Sequence, residues 1–304
     1  MRACAEEVLK IRPRRSVLFM PGSNVRAMNK ARSLPADAIV FDLEDAVAPD
    51  AKPRAREQVA AAVTEGGYGS REVIVRINPL ESPWGKDDLV AVAPLVVDGV
   101  LIPKVECPEQ VHATLETLDT ANSARHFLWV MIETPAGVLV SDDIAKASDR
   151  IACLVMGTSD LAKEMRVRPG SDRLGLVAPL SRCVLAARAC GLDVLDGVQL
   201  DLDDDAAYRA ACRQGRDLGF DGKTLIHPKQ IAYANEAFAP SADEVESARE
   251  LIDAWDRARG EGHGVAVAHG RLVEKLHVDE AERTLALAAA VATREQNVQP
   301  VVGE

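Results

Sequence analysis

Eight short apolar runs, rich in β-branched residues, alternate with stretches of helical periodicity along most of the chain. The runs are Ser16–Met20, Ala38–Asp42, Glu72–Ile77, Gly99–Ile102, Phe127–Ile132, Ala152–Met156, Val194–Val198 and Gly222–Ile226. Near-continuous apolar runs of this length mark strands buried on both faces, as in a parallel sheet covered by helices. Between them, Val111, Leu115 and Leu118 make one helical stripe. Leu180, Cys183, Val184 and Ala187 make another, with Gly191 placed as its C-cap. Pro108 and Pro228 stand where a first helical residue is expected. Eight strands, each followed by a helix, predict an α/β fold closed into a (β/α)8 TIM barrel over residues 1–240. The seventh run is the weakest, because Asp193 and Asp196 interrupt it.

After Pro240 the pattern changes. An amphipathic helix is expected over Ser241–Gly260, then a glycine-rich stretch, a short apolar run at Val265–Ala268 and a final helix over Val278–Thr293. Residues 241–304 therefore read as a C-terminal helical lid or oligomerisation segment.

The chain has 304 residues and a formal net charge of −11, which argues against nucleic-acid or membrane-surface partners, since both are anionic. No run approaches the roughly 18 apolar residues of a membrane span. The charged N-terminal stretch has no apolar leader, so a cytoplasmic protein is expected. The six cysteines form no C-x-x-C pair and several fall on apolar faces, which points to small hydrophobes and not to disulfides or zinc.

In a barrel, chemistry collects where the strands finish. The second run ends in Asp42-Leu-Glu44-Asp45, the third in Arg76-Ile-Asn78 and the fourth in Pro103-Lys104. The fifth ends in Glu133-Thr134, the sixth in Gly157-Thr-Ser159-Asp160 and the eighth in His227-Pro228-Lys229. Glu133 and Asp160, on consecutive strands, are two carboxylates that repel unless a cation or proton lies between them. Hard oxygen donors with room for water suit Mg²⁺. The alternative is that each caps a following helix, Asp160 especially. Arg76 offers a planar fork for carboxylate or enolate oxygens, or a salt bridge to Asp42, Glu44 or Glu133. Lys104 could attack a carbonyl, but its acidic surroundings should keep it protonated and paired with Glu44 or Asp45. His227 reads as the cap of a Pro-initiated helix. His112, His126, His263, His269 and His277 show no metal spacing and read as surface or tail residues.

Taken in order, Phe19-Met-Pro-Gly22, Phe41-Asp-Leu-Glu-Asp45, Arg76-Ile-Asn78, Ile102-Pro-Lys104, Ile132-Glu-Thr134, Gly157-Thr-Ser-Asp160 and Ile226-His-Pro-Lys-Gln230 resemble the citrate lyase β-subunit-like family of CoA-thioester lyases. That family includes the malyl-CoA and citramalyl-CoA lyases. The resemblance runs from about Arg15 to Leu287. It implies a barrel with a C-terminal lid, a homotrimer or homohexamer, and a carbon–carbon lyase. Such an enzyme would take a 3-hydroxyacyl-CoA acid to acyl-CoA plus a 2-keto acid, glyoxylate or pyruvate. Glu133 and Asp160 match its Mg²⁺ ligands and Arg76 its substrate- and enolate-binding arginine. Phe19, Met20, Lys30, Ile226 and His227 match positions lining the CoA and substrate cleft, and Ser159 joins them as a binding candidate. Glu44 and Asp45 join Arg76 as catalytic candidates. Asn24 stands where the family often has a basic residue, leaving Arg26 as a substitute. The main departure is Glu274, at the position where the family places an aspartate acid/base delivered by a neighbouring subunit's lid. One more methylene lengthens its reach by roughly 1.5 Å. Rival readings are a citrate lyase-type subunit acting on an acyl-carrier protein, an acyl-CoA thioesterase, a CoA-independent 2-keto-acid aldolase, and an assembly subunit without activity.

Overall fold

The eight runs form eight parallel strands: β1 (Ser16–Pro21), β2 (Ala38–Asp42), β3 (Glu72–Arg76), β4 (Gly99–Ile102), β5 (Phe127–Ile132), β6 (Ile151–Met156), β7 (Asp193–Asp196) and β8 (Gly222–Leu225). Each pairs with the next in sequence, and β8 pairs back onto β1 through Ser16, Val17 and Leu18. The sheet is thus a closed barrel, as the sequence predicts. The computed structural model describes residues 11–120, 126–168, 170 and 172–297.

Helices follow the strands: α1 (Val25–Ala31), α2 (Lys52–Glu65), α3 (Gly85–Val92), α4 (Pro108–Thr120), α5 (Pro135–Leu139), α6 (Ser141–Lys146), α7 (Thr158–Glu164), α8 (Leu174–Cys190), α9 (Asp205–Asp217) and α10 (Ile231–Phe238). Pro108 does open α4, and Gly191 in a left-handed conformation closes α8. Pro228 instead heads a short 3-10 turn before α10.

Strand side chains alternate between two apolar layers. Val17, Val40, Ile74, Leu101, Trp129 and Val155 fill the barrel interior. Leu18, Ile39, Phe41, Val75 and their neighbours pack outward against the helices. Full burial of each large apolar side chain contributes roughly 1.5–3 kcal/mol, so this double core dominates the stability of the barrel.

Two ionic devices explain why the seventh strand carries aspartates. Arg14 lies across the N-terminal end of the barrel, its guanidinium 5.0 Å from the Trp129 ring centroid. It donates to both oxygens of Glu72 (2.7 and 2.8 Å) and to Asp193 Oδ2 (2.7 Å), where β3 and β7 begin. Asp196, wholly buried, accepts from Lys223 Nζ at 2.7 Å and from Arg173 Nη1 at 2.8 Å. Each carboxylate meets a cation, which is the condition for burying one.

A second compact unit takes in residues 11–13 and the chain from Ala239. It holds α11 (Ala242–Gly260), the antiparallel hairpin β9 (Ala266–Ala268) and β10 (Arg271–Val273), and α12 (Lys275–Asn297). Ser241 and Glu244 form a reciprocal capping box at the start of α11. His269 and Gly270, both at positive φ, make the two-residue turn that suits a twisted hairpin. Trp255, Ala266, Val273 and Val278 form the small core of this unit. The strand at Arg271–Val273 was not expected, because three residues carry too little periodicity to read.

The described cysteines, Cys107, Cys153, Cys183, Cys190 and Cys212, form no disulfide, and Cys153, Cys183 and Cys212 are buried. Cys4 lies outside the described residues. His126, expected at the surface, is instead buried, with Nε2 2.9 Å from the Leu95 carbonyl. No described helix is long and apolar enough to cross a membrane.

Candidate active site

Arg76 ends β3 and shares the interior face with Ile74, so its head emerges at the C-terminal mouth of the barrel. Asp42 ends β2 directly across the register. Arg76 Nε and Nη2 donate to the two oxygens of Asp42, each at 2.6 Å, a bidentate fork. The Phe19 ring centroid lies 4.8 Å from the same guanidinium. Asp42 also accepts the Glu44 and Ala46 main-chain N–H groups, at 2.9 and 3.1 Å. One carboxylate therefore both folds the Asp42–Asp45 turn and aims Arg76. Lys52 Nζ braces that turn by donating to the Leu43 and Glu44 carbonyls, each at 3.0 Å. Asn78 Nδ2 adds a bond to the Leu43 carbonyl at 2.8 Å. Burial opposes the charge on Arg76, but Asp42 and Glu44 outweigh it and raise its pKa.

The turn delivers Glu44 into the mouth, buried, between two cations. Its Oε2 stands 2.8 Å from Arg76 Nη1 without the alignment of a hydrogen bond. Its Oε1 accepts from Lys104 Nζ at 2.6 Å. Burial raises the Glu44 pKa, against the pull of Arg76 and Lys104. Asp45 is exposed and lies 3.6 Å from Arg76 Nη1.

Lys104 follows β4 in a left-handed conformation, φ 52°. For a residue with a long side chain this costs on the order of 1–3 kcal/mol. The conformation takes one main-chain N–H out of the sheet: Lys104 N donates to Glu133 Oε1 at 2.9 Å, and Val105 N returns to the Met131 carbonyl at 3.3 Å. Lys104 Nζ lies 3.7 Å from Asp160 Oδ2. Burial opposes its charge, but Glu44 and Glu133 more than compensate and raise its pKa. An ammonium held in this way is a poor nucleophile, so the geometry argues against a Schiff base.

Glu133 stands just beyond β5, buried, and Asp160 is in the first turn of α7, half-buried. The helix is capped by Gly157 and not by the Asp160 side chain. Gly157 gives Glu133 its space: a Cβ there would lie 2.3 Å from Glu133 Oε2. Burial is the largest influence on Glu133, with Glu44 and Asp160 adding to it, and together they push its pKa up to about 8 against Arg76 and Lys104. This site carries more carboxylate than its cations neutralise.

That excess is the test for a metal. Among the described residues no three His, Cys, Asp or Glu side chains converge into a closed cage. An ion that takes one or two carboxylates and keeps water or substrate oxygens needs no such cage, and Mg²⁺ is of this kind. Glu133 and Asp160 are hard oxygen donors, and no described side chain donates to Glu133 Oε2. The residues fit Mg²⁺.

Other expected residues are spread more widely. Phe19 is half-buried beneath Arg76, whereas Met20 points the other way and packs into the outer core. Strand alternation separates the two, so Met20 does not line the mouth. Ser159 is exposed on α7, and Lys30 is exposed on α1. Ile226 is 38% exposed at the end of β8. His227 is exposed and accepts the Lys229 N–H on Nδ1 at 3.1 Å, the capping role read from sequence. Glu274 is exposed at the start of α12, in the second unit, where its N–H donates to His277 Nδ1 at 3.0 Å. Sequence reasoning named Asp42 only as a possible partner of Arg76 and missed Lys52; the Asx-turn spacing of Asp42 to Glu44 was the available signal.

The model of the HpcH/HpaI aldolase/citrate lyase family matches residues 15–228, which take in all eight strands of the barrel. The chain belongs to the HpcH/HpaI aldolase/citrate lyase family. Among its relatives, a (3S)-malyl-CoA thioesterase of Cereibacter sphaeroides is 48% identical over 280 residues, covering 92% of this chain and 96% of that protein. The citrate lyase β subunit of Escherichia coli is 34% identical over 293 residues, covering 94% and 97%. A solved structure of CitE from Mycobacterium tuberculosis, in complex with magnesium, acetoacetate and coenzyme A, superposes with a TM-score of 0.72 at 29% identity. It covers 90% of this chain and 97% of that one. Membership in this family supports an enzyme and accounts for the strand-end motifs in their order.

Proposed function

We propose that this chain acts on the CoA thioester of a short 3-hydroxy dicarboxylic acid, of the malyl-CoA type, and hydrolyses the thioester. The observation that carries this choice is the 48% identity, over 92% of this chain, to proteins named (3S)-malyl-CoA thioesterase. The citrate lyase β subunits stand lower, at 34% or 35%. The site chemistry supports an acidic substrate. Mg²⁺ held by Glu133 and Asp160 would supply a Lewis acid for the hydroxyl and carboxylate oxygens of the acid. Arg76, already aimed by Asp42, would stabilise the oxyanion that forms when water adds to the thioester carbonyl. Collapse of that adduct breaks the C–S bond and leaves the free acid and CoA. The water proton passes to the leaving sulfur, and Glu274 is the proposed carrier. In this reading a neighbouring subunit's C-terminal unit delivers Glu274, which requires a homo-oligomer, a trimer or hexamer.

Carbon–carbon cleavage is the second reading, favoured by the buried Arg76 beside a metal-competent carboxylate pair, which also suits a thioester enolate. There the bond between the acyl-CoA α-carbon and the carbinol carbon breaks, the hydroxyl proton leaves, and the enolate carbon gains a proton. The products differ. Incubation with (3S)-malyl-CoA and Mg²⁺ should release free thiol and malate in equal amounts. Acetyl-CoA and glyoxylate without free thiol would establish the lyase reading instead. CoA titration serves as the check on substrate class, because a CoA-independent aldolase would show no binding.

A further inference from the structure

Lys104 is the one mouth residue named above that touches all three carboxylates of the cluster. Its main-chain N–H holds Glu133 Oε1 at 2.9 Å, its Nζ donates to Glu44 Oε1 at 2.6 Å, and Nζ lies 3.7 Å from Asp160 Oδ2. These roles are separable, because the Glu133 bond uses the backbone and the other two use the side-chain charge. The left-handed backbone, φ 52°, lets one residue do both. Strain of this kind persists only where surrounding contacts over-determine it, and it concentrates at functional sites.

We propose that Lys104 is a positioning residue with two functions: its backbone orients Glu133, and its ammonium sets how tightly the Glu133–Asp160 pair holds a divalent cation. The proposal rests on the metal reading given above. A fixed positive charge beside a cation site repels the incoming ion, and at the separations of a single cluster that repulsion changes affinity on the order of tenfold. The ammonium also supplies part of the neutralisation that Glu44, Glu133 and Asp160 need before any ion arrives. Lys104 would thus keep the carboxylates together in the absence of metal and keep the metal exchangeable, so that substrate oxygens complete its coordination.

Substitution separates this from a packing role. Lys104→Met removes the charge and keeps the main-chain N–H. Lys104→Gly does the same and also removes the left-handed strain, so it guards against misfolding of the first variant. Lys104→Arg keeps the charge. Calorimetric titration of each chelator-treated full-length protein with MgCl₂ gives the dissociation constants, and the electron spin resonance of Mn²⁺ gives an independent reading. The expected result is binding about tenfold tighter in Lys104→Met and Lys104→Gly than in wild type, with Lys104→Arg close to wild type. Unchanged or weaker binding in both neutral variants, with wild type binding normally, overturns the proposal alone. Absence of binding in wild type and all variants overturns the metal reading and this inference with it.

Discussion

Arg76 and Asp42 face each other across β2 and β3 and share two parallel hydrogen bonds of 2.6 Å. Asp42 is buried and spends its remaining lone pairs on the turn that carries Glu44. Asp42→Asn keeps the shape but replaces one acceptor oxygen with a donor that faces the guanidinium. The fork is lost and Arg76 is free to swing toward Glu44 and Asp45. A displacement of about 1 Å can cost on the order of 10²-fold in rate. We expect kcat/KM to fall by about that factor, together with a loss of stability from the broken buried pair, measured by thiol release and by calorimetry on the same preparations.

Gly157 and Glu133 give a second prediction. Because a Cβ would stand 2.3 Å from Glu133 Oε2, Gly157→Ala must push the carboxylate aside. Overpacking of this kind typically costs roughly 1–3 kcal/mol. Titration with MgCl₂ should show weakened binding, and the melting temperature should fall only modestly. Unaltered Mg²⁺ affinity would mean that Glu133 Oε2 is not a ligand.

The pH dependence follows from Glu133, whose pKa is pushed from near 4.5 up to about 8 in the metal-free fold. Between those values the folded state keeps a proton that the unfolded chain has lost. Stability of the metal-free protein should therefore decline as pH rises from about 4.5 to about 8, and level off above. Mg²⁺ affinity should rise over the same range, because the ion requires the ionised carboxylate. Denaturant titrations at several pH values, with and without MgCl₂, check both slopes. Stability that increases with pH in the absence of metal would contradict the assignment.

Much of the fold was legible because a strand covered on both faces must be apolar along its length, and eight such runs admit few arrangements. Phe127–Ile132 and Ala38–Asp42 could be read to the residue. Legibility ended where side-chain direction mattered. Phe19 and Met20 are neighbours in sequence, yet one lies under Arg76 and the other in the outer core, and a run apolar on both faces gives no phase to tell them apart. Asp193 and Asp196 read as interruptions of β7 because their partners, Arg14, Arg173 and Lys223, are remote in sequence. The charges at the strand ends were visible as types. Their order of attachment, with Asp42 holding Arg76 and Lys104 holding Glu133, depends on backbone conformation at single residues.

Asp196 separates stability from catalysis. It is wholly buried, and although burial opposes its charge, Lys223 and Arg173 hold its pKa below the usual carboxylate range. Removing one partner of a buried ion pair typically costs 3–5 kcal/mol, about what Asp196→Ala should lose in chemical denaturation. Since its folded pKa is depressed, this contribution is present above the ordinary carboxylate range and is lost as pH falls through the folded value. Mg²⁺ affinity of the folded variant should match wild type.

The proposed crossing of Glu274 between subunits can be tested by mixing two inactive proteins. In the proposed homo-oligomer, Glu274→Gln and Glu133→Gln should each disable every site. After unfolding and refolding together at equal concentrations, random assortment should restore roughly a quarter of the sites, if each site draws on two chains. No recovery, with oligomers of normal size by light scattering, would place Glu274 within its own chain's site, and a Glu274→Gln protein active by itself would place it outside the reaction.

The most direct measurement of the central claim is Mg²⁺-dependent thiol release from (3S)-malyl-CoA by chelator-treated protein. Wild type should be silent without metal and recover on adding MgCl₂. Glu133→Gln and Asp160→Asn should stay at least 10²-fold below it at every Mg²⁺ concentration. Full activity without metal, or in either variant, would contradict the account.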